Sequence, residues 1–154
     1  MQAEKCSTFP HHKWFGIALQ ALVVLAHKDQ PCTSAEISKR LQVEPTLLRR
    51  VMSELAREGL LDTKEGKDGG YKLSRAAGAI TLADVYLALQ LGEPLCKGLE
   101  QTTGEHEFGQ EMRQAFGEIS EGVKNSALEM LGKGTIEQLT RRVCDLKKAT
   151  DNQL

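Results

Sequence analysis

The side chains in this 154-residue chain that are spaced to do chemistry gather between Glu44 and Leu73. Thr46, Arg49 and Arg50 lie three and four residues apart, and Lys64, Lys67 and Tyr71 follow around the run Glu65-Gly66-Lys67-Asp68-Gly69-Gly70. A guanidinium presents a planar fork of donors that fits a phosphate or the exposed edge of guanine with two bonds at once. A lysine ammonium adds a mobile point charge, and glycines let a backbone approach a phosphate closely. The same stretch holds no nucleophile beside a base and no phosphate-cradling loop before a lysine. No pair of carboxylates is placed on a cleft either, so the chain is not expected to be an enzyme. The chemistry it favours is the grip of a polyanion.

The elements that must hold these groups can be read from spacing. Pro45 suits a first helical position. Leu48, Val51, Met52, Leu55 and Ala56 recur at three and four, which turns one stripe inward and leaves Thr46, Arg49, Arg50, Ser53 and Arg57 on the other face. Gly59 stops the helix. A helix over 45–58 is about 21 Å long, a length suited to a major groove. Short alternating runs on either side of the glycine tip predict a hairpin over 61–74. Upstream, Thr33 and Glu36 form a capping box for a second helix with Ile37 and Leu41 inward. Ser34, Ser38 and Lys39 on that helix are expected to touch phosphate, and Gln42 to Glu44 make the tight turn between the two helices. Trp14 to His27 is apolar nearly all round and predicts a buried central helix. Two closely coupled helices followed by a basic hairpin read as a winged helix-turn-helix head. Its recognition helix 45–58 would enter the major groove of double-stranded DNA, and its wing would lie on the backbone or in the minor groove.

Three pieces of this region, Leu55 to Leu60, Gly66 to Tyr71 and Ile80 to Val85, resemble the pattern of the Rrf-type family of winged-helix transcription regulators. The likeness runs over roughly residues 14–92. It implies a DNA-binding transcription regulator, a repressor by preference, acting as a homodimer. Two departures bear on recognition. The pattern has arginine where this chain has Glu65, and glutamate where this chain has arginine at the start of the recognition helix, which implies a different preferred base. Members with iron–sulfur clusters carry three cysteines between the fourth helix and the long helix, and an acidic residue near the start of the first helix. This chain has Cys96 alone in the first place and Gly16 in the second. No cofactor and no metal site are therefore expected. Cys96 remains a candidate redox or sensor thiol, and a small molecule or a partner protein is an open alternative as effector.

The rest of the chain fits that frame. Net charge is −1, but residues 39–75 hold nine Lys/Arg against six Asp/Glu, whereas residues 91–131 hold three against eight. Such polarity suits a DNA face at one end and a solvated arm at the other. Cys6, Cys32, Cys96 and Cys144 show no CxxC spacing, which argues against a zinc ribbon or a disulfide scaffold. No stretch is apolar for long enough to span a bilayer, so a cytoplasmic protein without membrane contact is expected. Thr81 and Asp84 cap a fourth helix. From Phe108 to Leu131 apolar residues recur at heptad-like steps, and Phe108, Met112, Phe116, Ile119, Val123 and Met130 are the candidate dimer interface. Thr135 and Gln138 cap a last helix, expected to pack on the long one, within the chain or across the dimer.

The expected fold is mainly α with a small β-wing: a winged helix-turn-helix head over 1–92, a sensor-type linker over 93–107 and a helical dimerisation region over 108–154. Two other readings remain open: a winged-helix protein-interaction module, favoured by the acidic Glu65 and Asp68 in the wing, and a thiol-based redox regulator using Cys96.

Overall fold

The computed structural model describes residues 10–90 and 98–151. The head is three helices and a hairpin: α1 (Pro10–Ala26), α2 (Ser34–Leu41), α3 (Pro45–Arg57), β1 (Leu61–Lys64) and β2 (Gly70–Leu73). A 3-10 turn (Ala77–Ala79) leads into α4 (Leu82–Ala88), and two further helices follow, α5 (Glu107–Gly132) and α6 (Ile136–Asp151). Helix α1 begins at Pro10 rather than at Trp14, because proline's fixed φ and missing N–H cost nothing in a first turn.

The core forms where α1 meets the other elements of the head. Ala18, Ala21 and Leu22 of α1 are fully buried, as are Ile37, Leu48, Val51, Met52, Leu55, Ile80 and Val85. Small residues at 18 and 21 let neighbouring helices come close, while Leu22 fills the space between them. The wing is a two-stranded antiparallel sheet in the register Leu61–Leu73, Asp62–Lys72, Thr63–Tyr71 and Lys64–Gly70.

Cys32 ties the segment before α2 to the wing. Its N–H donates to the Tyr71 carbonyl at 2.9 Å and its carbonyl accepts from the Tyr71 N–H at 2.8 Å. The segment before α2 thus borders β2 on the side away from β1. Gly70 lies against this seam with φ +145°, and a Cβ there would sit 2.4 Å from the Cys32 carbonyl oxygen. Only glycine meets both demands.

Within the chain the last helix packs on α1 and on the 3-10 turn more than on the long helix, which corrects the intramolecular form of that expectation. The cause is a second backbone clasp. The Leu82 N–H donates to the Gly134 carbonyl at 3.0 Å, and the Ile136 N–H to the Ile80 carbonyl at 2.9 Å. Ile80 and Ile136 are both fully buried in the core of the head. The capping pair at the start of α6 forms as expected: Thr135 N–H donates to Gln138 Oε1 at 3.0 Å, and Gln138 N–H to Thr135 Oγ1 at 3.2 Å. Cys144 of this helix faces His27, the residue that follows α1, Sγ to Nε2 3.6 Å.

Candidate nucleic-acid interface

The recognition helix and its turn are built by local hydrogen bonds. The Thr33 hydroxyl accepts from Glu36 N–H, and the Glu36 carboxylate accepts from Thr33 N–H at 2.7 Å, the reciprocal cap expected for α2. At the other end of α2, Gln42 takes the left-handed conformation at φ 53°, and Val43 N–H donates to the Ser38 carbonyl. Ser38 was expected to reach phosphate. Its side chain instead points inward, 6% exposed, and donates to the Val43 carbonyl at 2.6 Å. The hydroxyl is consumed in holding the turn, so Ser38 positions the recognition helix without facing a ligand. Ser34 at the start of α2 is half-buried and Lys39 is exposed.

Helix α3 carries a cap that its spacing did not reveal. The Glu44 carboxylate accepts from Thr46 N–H at 2.9 Å and from Leu47 N–H at 2.7 Å. Those two bonds, with the charge of Arg49 adding to them, hold the Glu44 carboxyl below its ordinary range. Helix N-termini commonly attract phosphate; here an internal carboxylate already occupies two of the donors. An acidic residue just before a proline at the first helical position was the only sequence signal for this.

The groups of this helix still open to a ligand are its outward side chains. Leu48, Val51, Met52 and Leu55 face the core, and Thr46, Arg49, Arg50, Ser53 and Arg57 face outward, as the periodicity predicts. The three arginines are not equivalent. Arg57 is tied to Glu54 and to Glu58. Arg49 and Arg50 are exposed and have no ion-pair partner among the described residues. Two guanidiniums, uncommitted and on adjacent residues near the start of a solvent-facing helix, can bridge base edges and phosphates.

The wing presents a second set of cations. Lys64, Lys67 and Lys72 are exposed and likewise unpaired among the described residues. Gly69 N–H donates to the Gly66 carbonyl at 3.1 Å, which folds the tip, and Gly66 takes φ +101°. Glu65 and Asp68 stand in the same tip, so its formal charge balances between Lys64 and Lys67 on one side and these two acids on the other. Tyr71 was expected at the interface; its ring is half-buried and packs against the core of the head. Arg75 braces the base of the wing, with Nε donating to the Ala79 carbonyl at 2.9 Å and a 3.1 Å ion pair to Asp84. Burial acts to raise the Asp84 carboxyl, but hydrogen bonds from Thr81 and the Arg75 charge outweigh it, and the group lies below its ordinary range.

The long helix turns part of its apolar stripe away from the rest of the chain. Phe108, Ile119, Val123 and Met130 are 65%, 52%, 41% and 77% exposed, while Met112 and Phe116 are half-buried. Leu128 and Leu131 pack on the head instead. Cys96 lies outside the described residues. Cys32 is buried beside the wing and Cys144 sits by His27, and no group of three or more His, Cys, Asp or Glu among the described residues could hold a metal ion. No helix among them is long and apolar enough to cross a membrane.

A capped helix pair with a tight turn, a recognition helix bearing free arginines and a lysine-bearing hairpin sewn to its flank define a winged helix-turn-helix protein. The model of the Rrf2 family, described as an iron-dependent transcriptional regulator, matches residues 12–142, and the chain belongs to that family. It is a DNA-binding transcriptional regulator. YwgB of Bacillus subtilis, which its name places provisionally among helix-turn-helix-type transcriptional regulators, is 32% identical over 124 residues, 77% of each chain. The helix-turn-helix-type regulator IscR of Xenorhabdus nematophila is 33% identical over 84 residues, 53% of this chain and 51% of that one. Among solved structures, CymR, the global cysteine regulator of B. subtilis, is similar with a TM-score of 0.59 and 24% identity over 84% of this chain and 94% of that one. T. potens IscR aligns with a TM-score of 0.60 and 22% identity over 92% and 88% of the two chains.

Proposed function

We propose that this regulator is a repressor that acts as a homodimer, with Arg49 and Arg50 of each copy meeting base edges or phosphates in one major-groove half-site and Lys64 and Lys67 holding the flanking backbone. The observation that carries the reading is the outward row Phe108, Ile119, Val123 and Met130 on α5. Four large apolar side chains on one face of one helix need a cover, and a second copy offers the same face in return. Two copies joined there would present two α3 helices to sites about one duplex turn apart.

Lys39 and the N-terminal residue of α2, Ser34, complete the backbone contacts in this reading, while Ser38 and Tyr71 act from within. In this reading the regulator has no thiolate-held cluster, on the ground that Cys96 is the one cysteine in the sequence between α4 and α5. Footprinting on genomic fragments selected by the purified protein, combined with sedimentation of the protein alone, tests the whole reading. The expected result is a pseudo-palindromic footprint and a particle of twice the chain mass. A monomer with a single protected half-site would refute it.

A further inference from the structure

On the flank of the head, where α1, α2 and α6 meet, the surface opens into a cleft of about 540 Å³. That volume falls within the range of small-molecule sites. Leu19 and Val23 of α1 form its floor, Leu41 of α2 one wall, and Leu139 and Val143 of α6 the other. The lining contains no Asp or Glu. Its one permanently charged side chain is Arg40, in the last turn of α2, which is exposed and has no ion-pair partner among the described residues. A mainly apolar trough whose one fixed charge is an uncommitted guanidinium, with the Gln20 amide and the His27 ring as its other polar groups, is complementary to one kind of molecule, an aliphatic body ending in a carboxylate. A neutral apolar ligand would leave the guanidinium unused, and a phosphate dianion would meet only one fixed positive charge.

We propose that this cleft binds a small amphipathic monocarboxylate, with the tail on the α1 floor and the carboxylate on Arg40, and that occupancy alters DNA binding. The route to DNA is short. Arg40 and Leu41 lie next to Ser38 and Val43, whose hydrogen bond sets the turn into the recognition helix. A ligand wedged between Leu41 and α6 bears directly on that turn. Coupling of this kind is reciprocal, so DNA must change ligand affinity by the factor by which ligand changes DNA affinity. The inference rests on the DNA-binding head and not on the dimer.

Octanoate and octan-1-ol serve as probes in calorimetric titrations of the full chain. Two variants separate charge from space. Arg40→Gln removes the guanidinium. Gly16→Leu fills the cleft from its α1 edge, where a Cβ meets nothing within 4 Å, so the helix tolerates it. Octanoate is expected to bind the wild type and to lose about tenfold or more in Arg40→Gln, the scale of one lost charge-assisted bond. Octan-1-ol should bind weakly and equally to both, and Gly16→Leu should lose both probes while its circular dichroism and its ligand-free DNA binding stay those of the wild type. Saturating octanoate should shift DNA affinity in the wild type and not in Gly16→Leu. No octanoate binding at millimolar concentration, or equal binding to Arg40→Gln, overturns the site. Unchanged DNA affinity under saturating octanoate overturns the coupling. Loss of DNA binding by the ligand-free wild type would count against the interface itself, a separate failure.

Discussion

The hydroxyl of Ser38 donates to the carbonyl of Val43 at 2.6 Å across the turn between α2 and α3. One short bond between α2 and the loop that follows it sets the angle at which the recognition helix leaves. Ser38→Ala should cost about 1 kcal/mol of stability, the usual worth of such a bond, in urea unfolding. It should also weaken DNA binding with no change in the salt dependence, because no phosphate contact is removed. A drop in salt slope would place Ser38 at the backbone after all.

Arg49 and Arg50 should behave differently from Lys67. Alanine at either arginine is expected to cost about 1–3 kcal/mol and to relax preference at particular base pairs, seen by selecting binding sites from a random pool. Lys67→Ala should weaken all sequences alike and lower the slope of log affinity against log salt by about one. Uniform losses at both arginines would demote them to phosphate holders.

Three capping carboxylates link stability to pH. Backbone and side-chain bonds from Thr33 lower the Glu36 carboxyl, and bonds from Thr46 and Leu47 lower that of Glu44. For Asp84 the bonds from Thr81 and Arg75 prevail over burial. Each group binds protons less readily folded than unfolded. Its contribution is therefore complete above the ordinary carboxylate range and disappears as pH falls through the lowered folded value. Stability measured by denaturant should decline on acidification through that window, and Glu44→Gln should flatten the decline. An unaltered acid limb would mean that the Glu44 cap adds nothing.

The seam between Cys32 and Gly70 is a steric requirement. Gly70→Ala places a methyl against the Cys32 carbonyl and forces φ +145° on a residue with a Cβ. A loss on the order of 1–3 kcal/mol is expected, with the wing amides showing faster hydrogen exchange than those of α3. Protection of Lys64 and Tyr71 amides equal to wild type would show that the seam yields at no cost.

Ile119→Glu on the outward row of α5 should give a folded monomer with weaker DNA binding, read by sedimentation and circular dichroism. Ile119 is 52% exposed in the single chain, so the substitution leaves the packing within one copy intact. A variant that stays dimeric would move the interface elsewhere.

The head was legible because its signals are local. Pro45, Gly59, the Thr33–Glu36 and Thr81–Asp84 pairs and the period of α3 all act within one turn of helix, and each element appears where its signal stood. What escaped is non-local or shared. Ser38 looks the same in sequence whether its hydroxyl meets phosphate or the carbonyl of Val43. Nothing near Cys32 announces that it borders Tyr71, 39 positions further along. The α6 stripe of Ile136, Leu139 and Val143 is equally suited to α5 or α1, and the Ile80–Ile136 bond decides it. The Arg40 cleft is made by three helices at once, so no single spacing foretells it.

Ile136, coming after the long helix, plugs a hole in the globule formed by residues 10–90. The tail is for that reason structural mortar for the head. A shortened polypeptide ending at α5 would lack a wall of its own interior, and a chimera carrying this head must bring the tail with it. In such a molecule, recognition and regulation cannot be swapped as independent cassettes.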